Sequence, residues 1–126
     1  MALVRAAKTG NVAEVERLLA AAPSAGAAAV DARDDYSRTP LHWACRFGHP
    51  EVVTRLLTAG AEVDARDNID RTPLYWASIG GHPEVVTKLL AAGANRFAEN
   101  NEGETPADVT SKIVRTLFNP PVKAAM

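Results

Sequence analysis

Apolar positions along this chain fall in short helical stripes. Val52, Val53, Leu56 and Leu57 recur at the spacing of one helix face, and Val85, Val86, Leu89 and Leu90 repeat the set. Each stripe opens on Pro-Glu, at Pro50-Glu51 and Pro83-Glu84. Proline at the first helical position loses an N–H that has no partner there, and glutamate sits near the positive end of the helix dipole. A second kind of helix precedes each stripe. It starts at Thr39-Pro40 and Thr72-Pro73, with threonine as N-cap, and carries Leu41 and Ala44 on one face up to Gly48, the expected left-handed stop. Gly60 and Gly93 close the longer stripes. Residues 61–71, rich in Asp and Asn, read as an extended turn projecting from the helix pair.

The pattern is periodic. The stretch RTPLHWACRFGHPEVVTRLL, from Arg38, returns 33 residues later as RTPLYWASIGGHPEVVTKLL, from Arg71. Thr-Pro appears a third time at Thr105-Pro106, and Val30-Asp31-Ala32-Arg33-Asp34 recurs as Val63-Asp64-Ala65-Arg66-Asp67, again 33 apart. A unit of two short helices cannot bury its apolar face alone, so it must stack on a copy of itself. The repeated residues are that stacking surface, written once per layer.

In period, in the Thr-Pro-Leu-His start at Thr39 to His42, in Gly-His-x-Glu and in the Leu-Leu-x-x-Gly-Ala end, these units resemble the ankyrin repeat. Tyr75 replaces the motif histidine in the next copy. The resemblance implies an all-α solenoid of stacked helix-turn-helix units with β-hairpin-like fingers. Residues 1–126 then form one domain: an N-terminal capping repeat over 1–33, full repeats over 34–66 and 67–99, a truncated closing repeat over 100–118, and a tail over 119–126. In the first cap Gly10-Asn11 takes the place of Gly-His, and about five extra residues follow, with Pro23 and Gly26 breaking the helix. In the closing repeat Val109, Ile113, Val114 and Leu117 mark a shortened helix or helix pair.

Composition narrows the function. Fourteen Lys and Arg against 15 Asp and Glu leave no basic excess for nucleic acid or an anionic membrane. No apolar run approaches the roughly 20 residues of a bilayer span. Residues 1–11 lack the apolar core of a signal peptide, and the single cysteine, Cys45, fits a reducing compartment. A cytoplasmic protein is expected, with the nucleus as a second possibility.

No catalytic constellation is present, and no enzyme, cofactor or metal is expected. His49 and His82 hold the same position in successive layers, where the resemblance implies a structural hydrogen bond; neither they nor His42 share metal-ligand spacing with Cys or carboxylates. Cys45 occupies a position of small, alanine-like residues and reads as a buried, inert thiol. Trp43 and Trp76 repeat at the period and read as packing between helices. Asp31, Asp64 and Phe97 stand where many ankyrin repeats carry a hydroxylatable asparagine, which argues against that modification.

What differs between copies is where the resemblance implies partner contact: the finger tips before Thr-Pro and the exposed end of each first helix. In the second unit these are Asp35, Tyr36, Arg38, Arg46 and Phe47. In the third they are Asn68, Ile69, Arg71, Ser78 and Ile79, with Arg66 on the preceding finger. The closing finger adds Glu102 and Glu104 beside Glu99 and Asn101. Large apolar residues interleaved with arginines are what binding hot spots favour. The opposing reading has Phe47 and Ile79 sealing layers and the arginines paired with Asp34, Asp35, Asp67 and Asp70. The function expected is a monomeric module that binds a protein partner in a concave groove. Two other readings stand beside it. One is a stoichiometric inhibitor, similar in size and build to stand-alone ankyrin proteins of the myotrophin type or to small cyclin-dependent-kinase inhibitors. The other is a structural piece of a larger scaffold.

Overall fold

A computed structural model describes residues 2–21 and 30–106. The expectations for Pro23 and Gly26, for the closing repeat beyond Pro106 and for the tail lie outside the described residues. Among the described residues six helices form three pairs: α1 (Ala2–Thr9) with α2 (Val12–Ala21), α3 (Pro40–Phe47) with α4 (Pro50–Thr58), and α5 (Pro73–Gly80) with α6 (Pro83–Ala91). There is no strand among the described residues. Helix α3 packs between α1 and α5, while α4 packs between α2 and α6. The molecule is therefore a stack of helix pairs, as the period requires.

Local signals set the helix ends. Thr39 and Thr72 are extended N-caps whose hydroxyls accept from the N–H groups of His42 and Tyr75. Asn11, in the first layer, takes the same role for α2 by accepting from the Glu14 N–H at 3.1 Å. Gly48 and Gly81 end α3 and α5 in the left-handed region, at φ 72° and 71°. Between the helices, Leu41, Leu56, Leu74 and Leu89 are fully buried with Val15, Val52, Val53, Val85 and Val86 in one continuous core.

Polar bonds fix the register that apolar contact leaves free. The last carbonyls of a helix have no partner within it, and two are met from the next layer: His49 Nε2–H donates to the Lys8 carbonyl and His82 Nε2–H to that of Arg46, both at 2.9 Å. Glycine makes room for each ring. A Cβ on Gly10 would meet the His49 ring at 2.6 Å, and one on Gly48 would collide with the His82 ring. Glycine thus serves both the left-handed backbone and the approach of the layer above.

His42 closes a third bridge. Its Nδ1 accepts from the Thr39 N–H at 2.9 Å and its Nε2–H donates to the Arg71 carbonyl at 3.0 Å, which fixes the tautomer. The ring acts as the reciprocal half of a capping box while reaching into the next repeat. Burial lowers its pKa from 6.5 to about 4, against the opposing pull of the Arg71 carbonyl and Asp67.

Two outcomes follow for stability. Leu56→Ala or Leu89→Ala should cost roughly 2–5 kcal/mol in urea unfolding, because each opens a cavity between layers; a loss below about 1 kcal/mol would contradict it. The His42 proton gives a pH dependence. Between pH 6.5 and about 4 the unfolded chain binds a proton that the folded chain refuses, so stability is full above that window and falls as pH drops through it. The loss should approach roughly 3 kcal/mol. His42→Tyr, which copies Tyr75, should flatten the unfolding free energy across this range.

Candidate functional site

The fingers are locked turns with one design per layer. Asp34 Oδ1 accepts from the N–H groups of Tyr36 and Arg38, at 2.9 and 3.1 Å. Asp67 Oδ1 accepts from Ile69 and Arg71 at 3.0 and 2.9 Å, and Asn100 Oδ1 from Glu102 and Glu104 at 2.8 and 3.0 Å. Each tip turns through a left-handed residue: Ser37, Asp70 and Gly103. Short polar side chains at the turn start supply the hydrogen bonds that such a turn needs.

The second carboxylate oxygen ties the finger to its helix. Asp34 Oδ2 accepts from the Trp43 indole N–H at 2.7 Å, and Asp67 Oδ2 from that of Trp76 at 3.0 Å. Asp67 also takes the Arg38 Nε of the previous finger at 3.2 Å. Burial by itself raises the Asp67 carboxyl, but the N–H groups of Arg71 and Ile69, the Trp76 indole and the Arg38 guanidinium outweigh it and hold it below the usual carboxylate range. Asp34 is lowered in the same way, against its own burial, by Trp43, the Arg38 and Tyr36 N–H groups and the Arg38 charge.

Finger also binds finger. The Asn68 N–H donates to the Tyr36 carbonyl at 3.0 Å. Arg33 Nη1 donates to the carbonyls of Ser37 and Arg66, at 2.8 and 2.7 Å; one period on, Arg66 Nη1 does the same with Asp70 and Glu99, at 3.2 and 2.7 Å.

On the helix side, cations and rings alternate across layers. Lys8 Nζ lies 4.2 Å from the centre of Trp43, a residue of the next layer. Arg46 Cζ lies 5.1 Å from Trp76, also one layer on, and 5.8 Å from its own Trp43. Arg38 sits 5.2 Å from Trp43 and 4.5 Å from Trp76. Arg71 sits 5.3 Å from Trp76 and 4.8 Å from Tyr75. Phe47 stacks on Trp43 at 5.9 Å. The two tryptophans are buried, tied to the fingers through Asp34 and Asp67, and form the floor near which these cations lie.

The sequence-derived candidates separate into three groups. Asp35, Arg46, Asn68 and Glu102 are exposed, as are Tyr36, Phe47 and Ile79 at 55, 47 and 49%. Ile69, Arg38, Arg71 and Glu104 are half-buried, and several are committed internally. Arg38 is paired with Asp67, and Glu104 Oε1 accepts from the Tyr75 hydroxyl at 3.2 Å and Asn100 Nδ2 at 3.0 Å. Arg66 is exposed but its guanidinium clasps neighbouring fingers. Ser78 requires correction: it is 0% exposed and offers nothing to a partner. It lies one period after Cys45, inside the helix pair, so the exposed counterpart of Arg46 is Ile79 and not Ser78. Sequence reasoning missed Lys8, although Ala-Ala-Lys-Thr-Gly at Ala6 to Gly10 aligns with Ala-Cys-Arg-Phe-Gly at Ala44 to Gly48. It weighed Phe97 only against hydroxylation and left it out of the partner-facing set, although it is 74% exposed on the last finger, where the two preceding layers carry an aspartate.

Of the reactive side chains, Cys45 is fully buried and burial raises its thiol well above the ordinary value. The three histidines are spent on cross-layer bonds. Among the described residues no three metal-ligating side chains converge, and no helix is long and apolar enough to cross a membrane. A cleft among the described residues lies between Gly10, Val12 and His49 to Val52, on the α2–α4 side.

Helix pairs in register, left-handed Gly stops and periodic fingers define an ankyrin-type repeat protein. The chain belongs to the ankyrin-repeat family: residues 1–67 match the family described as ankyrin repeats in three copies, and residues 48–90 match ankyrin repeats in many copies. Among curated proteins it is similar to oxysterol-binding protein-related protein 1 of mouse, 45% identical over 64 residues, and to that of rat, 44% identical over 64 residues. The match takes in 47% of this chain and 7% of those relatives. Ankyrin repeats are in general protein–protein interaction modules.

The finger geometry can be tested at Asp67. Asp67→Ala removes the acceptor of two backbone N–H groups, an indole and a guanidinium, and should cost about 2–4 kcal/mol. Asp67→Asn, which copies Asn100, keeps an oxygen for the two turn N–H groups but sets an NH2 against the Trp76 indole and the Arg38 guanidinium, so it should cost less than Asp67→Ala, about 1–3 kcal/mol. Equal losses in chemical denaturation would contradict the turn assignment.

Proposed function

We propose that this chain binds a partner protein through the strip formed by its finger tips and the ends of α3 and α5. The observation that carries the reading is the exposure of Tyr36, Phe47 and Ile79, each about half open to solvent, with Arg46 5.6 Å from the Phe47 ring. Large apolar side chains next to arginine are the composition of interface anchors. The Trp43 ring links two of them, since Phe47 stacks on it and Arg38 bridges it to Tyr36, at 5.1 Å from the Tyr36 ring. The fingers are held by side-chain bonds before any partner arrives, which reduces the ordering cost of association. A monomer working in the cytoplasm or nucleus is the setting we infer, from near-neutral charge and a single buried thiol. A stoichiometric inhibitor would use the same strip, and a unit of a larger scaffold would present it unchanged; neither has an observation of its own.

The test is a triple variant, Tyr36→Ser, Phe47→Ser and Ile79→Ser, compared with the unaltered chain in capture from native lysate read by mass spectrometry. Exposed substitutions change stability little, by about 0.5 kcal/mol or less, whereas two lost anchors of about 2 kcal/mol each weaken binding roughly a thousandfold. A thermal midpoint within a few degrees and loss of the specifically captured protein are expected. A variant that unfolds, or one that folds and still captures the same protein, would overturn the reading.

A further inference from the structure

We propose that the segment recognised by this strip is an acidic, extended peptide whose carboxylates seat on the cations stacked over Trp43 and Trp76. The inference rests on the reading of the strip as a protein-binding surface and adds the chemistry of its occupant.

The argument begins with which charges the fold has already neutralised. Among the described residues the ion pairs are Arg17–Glu14, Arg55–Glu16 and Arg38–Asp67. Lys8, Arg46 and Arg71 have none, although all three lie over the rings of Trp43, Trp76 and Tyr75. Arg71 carries in addition a buried Nε with no hydrogen-bond partner. A guanidinium laid on a ring is held by its face, while its N–H donors lie in the plane at its edge and suit a carboxylate bidentately. Each of the three cations therefore lies near an aromatic ring with no carboxylate of its own to neutralise it.

Spacing selects the shape of the ligand. The end of α1 presents Lys8, the end of α3 presents Arg46 one layer on, and the next finger presents Arg71. Packed helices are about 10 Å apart, and three residues of extended chain cover about the same distance. Acidic side chains at every third residue of a peptide in the extended polyproline conformation, where residues i and i+3 share a face about 9 Å apart, thus meet successive layers. The strip also has a direction. In the closing finger Glu104 stands where Arg38 and Arg71 stand before it, with Glu99 and Glu102 nearby. An acidic segment is accordingly repelled past the third layer, which confines it to the layers of Lys8, Arg46 and Arg71 and favours a basic residue at that end.

The full chain has two tryptophans, both in the floor of the strip, so their fluorescence reports occupancy. The probe is a synthetic peptide with glutamate at every third position, separated by Gly-Ser, titrated beside a copy with glutamine in place of glutamate. The glutamate peptide is expected to bind at least tenfold more tightly, with affinity falling as salt rises. Arg46→Gln with Arg71→Gln should lose at least tenfold while keeping the thermal midpoint. Equal affinity for the two peptides would overturn the proposal, as would a folded double variant that binds like the unaltered chain. So would inorganic phosphate or phosphatidylserine vesicles giving the same signal while the peptide gives none. If the glutamate peptide fails but the Tyr36, Phe47 and Ile79 serine variant still loses its captured partner, acidic recognition falls and the binding-module reading stands. If that variant keeps its partner too, both fall.

Discussion

A pair of helices eight to ten residues long exposes more apolar surface than it can cover by itself, and every other feature of this molecule depends on that constraint. Leu41 and Leu56 are sealed only because the layers on either side supply the opposing wall. Hydrophobic contact is non-directional and would tolerate several registers. Direction comes from polar groups that cross the layers. A histidine ring reaches back to a late carbonyl on the first helix of the preceding layer, and a glycine is kept bare to admit it. The same bond satisfies a helix end and sets the layer spacing.

The fingers extend this logic to the surface. One carboxylate at Asp67 serves its own turn, its own helix through Trp76 and the preceding finger through Arg38. The side chains left facing solvent are thereby presented on a frame ordered in advance. Cations over the indoles add a layer that the core does not consume. The strip is built from parts of the stacking machinery, which is why its position follows the period while its chemistry does not.

That division sets what could be read from the chain alone. Helix starts, stops and layer order were legible because each is written as a capping residue or a glycine at a fixed interval, from Thr39 and Gly48 to Thr72 and Gly81. The candidate surface was legible only in part. Ser78 was placed among exposed positions although Cys45, one period earlier, was already read as buried; aligning the copies by one residue more strictly would have removed it. The commitments of Arg38, Arg66 and Glu104 depend on distances between layers, which no single repeat encodes. Lys8 was hidden by the five extra residues of the first finger, which shift its register against Arg46.

The most direct test of a stack held in register by polar bonds is native-state hydrogen exchange of the bridging amides. Asn68 donates to Tyr36 across two fingers, Asn95 to the Asp64 carboxylate across two layers, and Thr39 to the His42 ring that itself reaches the next repeat. The account predicts that these amides exchange through the same urea-sensitive opening as the amides of Leu56 and Leu89 in the core. Exchange orders of magnitude faster than the core and insensitive to urea would contradict it, leaving layers joined by apolar contact alone and a surface with no fixed frame.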